Sequence, residues 1–155
     1  MGLDMYLTAE RYFTSYVEKD IQKAADIKAV IGNMPDSWTV SNVETSVMYW
    51  RKANAIHKWF VDNVQDGVDN CEKFWLKKES LEALKEAVDN TLAVYTPENA
   101  AKHLPSQSGF FFGSTEYDEW YWKDVENTKK FLDELLPRYD ELAKQGWDFY
   151  YQASW

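Results

Sequence analysis

Hydrophobic residues recur along the chain with two different periods. In the opening LDMYLTAERYF the apolar positions first alternate with polar ones, which predicts a strand over residues 3–13. The closing segment WDFYYQASW alternates in the same way and predicts a strand at the C-terminal end. Segments rich in Val, Thr and aromatic residues predict further strands within 38–49 and over 71–76.

Between the predicted strands, apolar residues recur at the 3.6-residue period of an amphipathic helix. The ranges predicted to be helical are 16–31, 50–66, 79–94, 97–103 and most of 116–145. Ser15 and Glu18 have the spacing of a capping box before the first of these helices. Thr96 followed by Pro97 predicts an N-cap with proline in the first turn. Pro137 is expected to interrupt the last helix.

Strands and helices alternate irregularly, without the spacing of repeated βαβ units. This arrangement predicts an α+β fold, with a small and mainly antiparallel sheet that includes the N- and C-terminal strands and is packed with about four helices. The chain has 155 residues and no linker-like or low-complexity segment, so we expect a single globular domain over residues 1–155. A domain of this size buries roughly two-thirds of its unfolded surface.

Composition and charge exclude several classes of function. The formal net charge is -9, so a nucleic-acid backbone would be repelled and we expect no direct nucleic-acid binding. A single cysteine, Cys71, allows no intramolecular disulfide and fits a reducing compartment. No apolar run approaches the roughly 20 residues that span a bilayer, so we expect no membrane association and a cytoplasmic location. Aromatic residues reach 17%, more than a core usually requires, and this excess predicts a binding surface or a homodimer interface.

The stretch SGFFFGSTEYDEW combines glycines with hydroxyl residues, as phosphate-binding loops do. Only three residues separate Gly109 from Gly113, and no lysine precedes Ser114, so the spacing of a Walker-type phosphate loop is absent. Thr115 with Asp118 three positions later predicts a helix cap instead. Exposed backbone amides in this loop could still hold an anion if basic groups arrive from another segment.

Three phenylalanines stand side by side in this loop. In an extended run, Phe110 and Phe112 would point to one side and Phe111 to the other. All three rings therefore cannot enter one core, and we expect at least one of them to face a ligand or a partner.

The segment WRKANAIHKW supplies the basic groups. If it is helical, Arg51 and Asn54 share one face, while Trp50, Asn54 and His57 share the adjacent face. Guanidinium, amide and imidazole donors would then lie close together beside indole rings, a combination that suits an anionic or planar ligand. The alternative is an ordinary amphipathic helix in which His57 and the tryptophans only pack.

Candidates for other chemistry are weaker. His57 and His103 have no second ligand at metal-binding spacing and Cys71 has no CxxC partner, so no metal site and no cofactor are predicted. Asp4 faces away from the apolar side of the first strand. Its carboxylate could orient His57 or Arg51 from a neighbouring element, or it could simply lie on the solvated face.

Three segments of the chain, MGLDMYL, YWRKANAIHKWFVDNVQDG and PSQSGFFFGSTEYDEWYW, carry a resemblance. The chain resembles a family of small tailed-phage and prophage proteins, over most of its length and less closely over 14–47 and 80–103. The resemblance implies a phage origin and expression in the host bacterial cytoplasm, and it carries no activity with it. Its motif positions include Asp4, Tyr49, Trp50, Arg51, Lys52, His57, Ser108, Phe111, Gly113, Ser114, Thr115, Tyr117 and Asp118.

The leading hypothesis is a phage accessory protein that acts by binding, without turnover. It would counter host defence by sequestering a small anionic, nucleotide-like ligand between the WRKANAIH helix and the SGFFFGST loop, with aromatic rings stacked on the ligand. The predicted ligand-binding residues are Asp4, Trp50, Arg51, Asn54, His57, Phe111, Gly113, Ser114, Thr115 and Tyr117.

Two alternatives remain open. The protein could be an acidic antagonist of a host protein, of the nucleic-acid mimic type. It could also be a small enzyme that uses His57 as a general acid–base near Asp4 or Ser114. The enzyme ranks last because no second catalytic group has motif support.

Overall fold

The computed structural model describes residues 2–155. Their four strands are β1 (Asp4–Tyr12), β2 (Asn42–Arg51), β3 (Phe74–Leu76) and β4 (Trp147–Ser154). The strands form one sheet in the order β2-β1-β4-β3, and every neighbouring pair is antiparallel. The two terminal strands, β1 and β4, are therefore the centre of the sheet.

Six α-helices complete the described part of the chain. They are α1 (Glu18–Ile31), α2 (Asn54–Asn63), α3 (Lys78–Leu92), α4 (Pro97–His103), α5 (Glu119–Leu135) and α6 (Tyr139–Lys144). A single 3-10 turn at Leu136–Arg138 separates α5 from α6, where Pro137 interrupts the helix as predicted. The α+β fold predicted from the hydrophobic pattern is confirmed. Within residues 2–155, no helix combines the length and the apolar character that a bilayer span requires.

The core lies between one face of the sheet and the helices. Met5 of β1 pairs with Trp50 of β2, and Leu7 pairs with Tyr151 of β4, so the alternating apolar residues meet on one side. The ring of Tyr151 stacks on Phe60 of α2 with a centroid separation of 3.8 Å. Full burial of such a side chain stabilises the fold by about 1.5–3 kcal/mol.

Helix α1 contributes little to this core. None of its residues is buried, and its apolar Ile21 and Ile31 are at least half exposed, as is Trp38 in the following turn. The predicted capping box is wrong, because α1 begins at Glu18 after Val17 and no side chain caps it. The elements that position the candidate site are therefore the strands and the helices from α2 onward.

The N-terminal boundary of α2 differs from the prediction. Trp50 and Arg51 belong to β2, and α2 begins only at Asn54. The reason is tertiary, since backbone pairing with β1 and a 2.8 Å hydrogen bond from the Trp50 indole to Thr128 Oγ1 hold this segment extended. The expected shared helical faces of Trp50, Arg51, Asn54 and His57 therefore do not exist.

The helix that follows the phenylalanine triplet also begins later than predicted. Asp118, rather than Thr115, caps α5 by accepting hydrogen bonds from the amides of Trp120 and Tyr121 at 3.0 and 3.1 Å. By contrast, the predicted cap of α4 is confirmed, because Thr96 Oγ1 accepts from the Asn99 amide at 3.3 Å. Asp118 directly precedes the first residue of α5, so its carboxylate reaches the free amides of the first turn, whereas Thr115 lies three residues further away.

The phenylalanine triplet forms a turn rather than an extended run. The Phe112 amide donates to the Gly109 carbonyl at 3.2 Å, which reverses the chain. Phe110 is 94% exposed, whereas Phe112 is 6% exposed and enters the core. A Cβ atom on Gly109 would stand 2.5 Å from the Phe112 ring, so only glycine permits this turn. The expectation that the three rings do not all enter one core is confirmed, but the expected pairing of Phe110 with Phe112 on one side is wrong because the segment is a turn.

Candidate functional site

A cleft of about 280 Å³ opens between the β2–α2 turn, the loop after Gly113 and the N-terminal half of α5. The polar and aromatic side chains that line it include Arg51, Lys52, Ser114, Glu116, Trp120 and Asp124. Two of the three segments are those from which the sequence predicted a site. The third, the start of α5, contributed no residue to the predicted set of ligand-binding residues.

The β2–α2 turn is held in an uncommon conformation. Lys52 has a φ of 60°, in the left-handed region that residues other than glycine rarely adopt. Its amide donates to the Leu3 carbonyl at 2.7 Å, which anchors the turn to the N-terminal segment. Gly113 approaches from the other side with a φ of 85°, and a Cβ atom there would stand 3.2 Å from Lys52 Cβ. Such local strain often accompanies a functional site.

Asn54 fastens the loop to the start of α2. Its amide nitrogen donates to the carbonyls of Phe112 and Ser114 at 3.0 and 2.8 Å, and its amide oxygen accepts from the Gln107 amide at 3.0 Å. The side chain is buried, and its oxygen and nitrogen are both engaged with the loop. Asn54 therefore shapes the cleft wall and leaves ligand contact to its neighbours.

The positive side of the cleft consists of two cations and a helix end. Arg51 and Lys52 are both exposed, and neither forms an ion pair within residues 2–155. Ala55 and Ile56, in the first turn of α2, also line the cleft, and no side chain caps that turn. The first amides of a helix carry partial positive charge, so this arrangement suits an anion.

The opposite side of the cleft carries carboxylates. Asp118 is engaged as the cap of α5, and Glu116 is exposed. Burial, helped by the negative charge of the nearby Asp118 and opposed by Lys123, raises the pKa of Asp124 to about 6. In the described part of the chain the Asp124 carboxylate meets no hydrogen-bond donor and no ion-pair partner. A carboxylate with a perturbed pKa and no partner is typical of a ligand-facing group.

The aromatic residue available to a ligand in the cleft is Trp120, which is 64% exposed. Trp50 does not line the cleft, because it is 2% exposed and its indole is bound to Thr128. Phe111 is half-buried, and its carbonyl accepts from the Leu3 amide at 3.1 Å. Trp50 and Phe111, two of the predicted ligand-binding residues, therefore do not line the cleft.

His57 belongs to a separate, closed cluster. It is fully buried, with Nδ1 2.8 Å from the Tyr151 hydroxyl and Nε2 2.9 Å from Asp69 Oδ2. An ionised carboxylate only accepts hydrogen bonds, so Nε2 carries the proton that it shares with Asp69, while Nδ1 and the Tyr151 hydroxyl form the second hydrogen bond. The Trp155 indole donates to the other Asp69 oxygen at 2.9 Å, and Phe112 packs edge-on against the imidazole. We call His57, Tyr151, Asp69 and Trp155 the His57 network.

The other predicted site residues do not line the cleft. Asp4 accepts a hydrogen bond from the Tyr49 hydroxyl, which raises the pKa of Tyr49. The Thr115 carbonyl accepts from Ser106 Oγ at 2.8 Å. The hydroxyl of Tyr117 accepts from the amide of the same serine at 3.3 Å.

The predicted set is thus divided by the structure. Four of the predicted residues line the cleft, namely Arg51, Asn54, Gly113 and Ser114. The six that do not line it are Asp4, Trp50, His57, Phe111, Thr115 and Tyr117. Neither Asp4 nor Ser114 is a hydrogen-bond partner of His57. The polar and aromatic residues that line the cleft but were left out of the predicted set are Lys52, Glu116, Asp118, Trp120, Tyr121 and Asp124. The i, i+4 spacing of Trp120 and Asp124 places both on one side of α5, which is a signal that the sequence already contains.

No group of three His, Cys, Asp or Glu side chains within residues 2–155 is placed to hold a metal ion. Comparison with protein-family models, with curated proteins and with solved structures finds no match.

Proposed function

We propose that the cleft binds a small anionic, nucleotide-like ligand and that the protein acts by holding this ligand without turnover. The observation that carries the proposal is the convergence of Arg51, Lys52 and the uncapped start of α2 on one concave surface. A guanidinium fork and helix amides both bind phosphate-like oxygens well. The exposed Trp120 ring in the same cleft offers a stacking surface for a planar group.

The size of the cleft restricts the ligand. Sites for small molecules usually enclose roughly 300–1,000 Å³, and this cleft has about 280 Å³. The cleft is therefore at the small end of such sites, which favours a mononucleotide over a dinucleotide as the ligand.

The biological setting remains the one that the resemblance implies. Arg51, Gly113 and Ser114 come from two different segments that resemble small tailed-phage proteins, and they line the same cleft. Their shared position supports a binding role for these two segments, and on the resemblance we propose that the protein is a phage accessory protein that sequesters, in the host bacterial cytoplasm, a nucleotide-like ligand used in host defence.

Isothermal titration calorimetry of the purified chain against mononucleotides and cyclic mononucleotides tests the proposal. We expect at least one nucleotide to bind, and we expect Arg51→Ala and Lys52→Ala each to weaken binding by about 10-fold or more, because a charge-assisted contact is lost. Lys23→Ala on the exposed surface of α1 removes one positive charge far from the cleft and is the matched control. No binding across the panel, or equal binding by Arg51→Ala, would contradict the proposal.

A second candidate, an acidic antagonist of a host protein, is favoured by the surface of residues 116–126. This stretch has five carboxylates and one lysine, and Trp120 is exposed among them. A nucleic-acid mimic would bind a basic host protein in competition with DNA or RNA. Replacing both Glu116 and Glu119 by lysine should then abolish that complex. Nucleotide binding that depends on Arg51 would instead favour the first candidate, a nucleotide-binding protein.

A further inference from the structure

The charges of the cleft do not suit a ligand that is anionic throughout. Arg51 and Lys52 lie on the β2–α2 side, whereas Glu116 and Asp124 lie on the side of the loop and α5. An ionised carboxylate has only acceptor oxygens, so it repels phosphate and attracts hydrogen-bond donors. A ligand that fills this cleft must therefore present negative charge at one end and N–H groups at the other.

Asp124 is the residue to which the donor end would bind. Its side chain is partly buried and forms no hydrogen bond or ion pair with a protein group among residues 2–155. The neighbouring Asp118 caps α5 through its Oδ1 atom, and Lys123 stands 5.6 Å from the centroid of the Trp120 ring. A partly buried carboxylate that lines the cleft without a protein partner can accept hydrogen bonds from a ligand.

The nucleobases differ in what they offer to a carboxylate. Guanine presents an N–H and an amino group side by side, so both carboxylate oxygens can accept at once. Adenine and cytosine place one amino group beside a ring nitrogen that is itself an acceptor, and uracil flanks its single N–H with two carbonyl oxygens. An acceptor facing the carboxylate is unfavourable, and a site that is built for two donors rejects a ligand that lacks them.

We infer that the cleft selects a guanine mononucleotide, with the phosphate at Arg51 and Lys52, the base on Trp120 and the donor edge of guanine on Asp124. This inference rests on the proposed function and names its ligand class. Each of the three contacts uses a side chain that lines the cleft and that no other described residue engages through a hydrogen bond or ion pair. Base stacking on an exposed indole tolerates any base, so Asp124 is the residue that decides between them.

Calorimetry with guanosine, inosine, adenosine and uridine monophosphates at pH 8 tests the inference on the unmodified chain. Inosine monophosphate keeps the ring N–H and lacks the amino group, so we expect it to bind about 10-fold more weakly than guanosine monophosphate. Adenosine and uridine monophosphates should bind at least about 100-fold more weakly than guanosine monophosphate. Equal affinity for the guanine and adenine nucleotides would overturn the guanine inference.

The variant Asp124→Asn separates the base contact from the phosphate contact. We expect it to lose the preference for guanine over adenine while it still binds both nucleotides through Arg51. Asp36→Asn, in the exposed turn after α1, is the matched control and should keep the preference. Binding that is unselective in the unmodified chain but lost in Arg51→Ala would overturn the guanine inference and leave the proposed function intact. No binding of any of the four nucleotides at pH 8 would overturn both.

Discussion

One short segment of the chain, residues 51–57, contributes to two polar clusters of opposite character. His57 lies in the His57 network, where each polar atom of the imidazole has a partner and the ring has no exposed surface. Arg51 lies a few residues earlier in the cleft, where it meets solvent and has no ion-pair partner within residues 2–155. The network is complete without a ligand, whereas the cleft is not.

This difference separates stability from binding. A buried polar network that is fully satisfied stabilises a unique packing, and the loss of one member leaves the others without partners. Unpartnered charges and strained backbone lower stability and are retained where they serve function. His57, one of the predicted ligand-binding residues, is therefore expected to be structural, and the cleft around Arg51 is expected to carry the function.

The largest change in stability should come from a substitution in the His57 network. His57→Ala should lower the free energy of unfolding by about 3–5 kcal/mol, because it opens a cavity and leaves the buried hydroxyl of Tyr151 without its partner. Urea unfolding followed by fluorescence measures the loss. His103→Ala, at a half-buried position in α4, is the control and should cost less than about 1 kcal/mol. A His57→Ala protein as stable as the unmodified chain would contradict a structural role.

The next largest effect should be a pH-dependent increase in the free energy of unfolding when Asp124, in the cleft, is replaced by asparagine. The pKa of Asp124 is about 6 in the folded protein and 3.8 for an ordinary aspartate, so the folded state binds the proton more tightly than the unfolded chain. The carboxylate therefore destabilises the fold above pH 6, and this cost disappears as the pH falls from 6 towards 4. The full pKa difference corresponds to about 3 kcal/mol. Because the side chain is partly exposed and solvent screens its charge, Asp124→Asn should add less than this at pH 8, and almost nothing at pH 4.

Thermal or urea unfolding at the two pH values checks the Asp124 prediction. Asp36→Asn should change stability at neither pH, since that side chain is exposed. A loss of stability in Asp124→Asn at pH 8 would mean that the carboxylate has a partner in the folded protein.

A smaller effect should come from Asn54, which joins the two regions. Asn54→Ala removes three hydrogen bonds to the loop that follows α4 and should cost about 2 kcal/mol. Hydrogen exchange of the Gln107 amide should accelerate, because that amide loses its acceptor. Asn63→Ala, at the exposed end of α2, removes one hydrogen bond to the Trp59 carbonyl and should leave the loop unchanged. Unchanged exchange at Gln107 in Asn54→Ala would show that the loop is held by other contacts.

The smallest effect on stability should come from Arg51. Arg51→Ala should stay within about 0.5 kcal/mol of the unmodified chain, since its guanidinium is exposed and has no ion-pair partner among residues 2–155. Its effect should appear in nucleotide affinity alone. A large loss of stability would place Arg51 with the structural residues rather than with the cleft.

Much of the fold could be predicted because short-range patterns carry it. The alternation in β1 and β4, the N-cap at Thr96 and the interruption at Pro137 each depend on residues within a few positions of one another. The site was predicted only in part. Arg51 and Ser114 were correctly expected to share a surface, but the helix that was meant to carry Arg51 is a strand there.

The sequence by itself determined which strands have alternating apolar and polar residues and where the chain turns. It also singled out the basic segment WRKANAIHKW and the glycine-rich loop SGFFFGST as carriers of polar residues. Only the tertiary structure decided which of these residues meet. Pairing with β1 kept Trp50 and Arg51 extended, the Phe112 turn buried one ring of the triplet beside His57, and the cap at Asp118 brought Trp120 and Asp124 to the cleft. Local periodicity reports which side of an element is apolar, but contacts between residues far apart in the chain decide which polar groups are satisfied and which remain for a ligand.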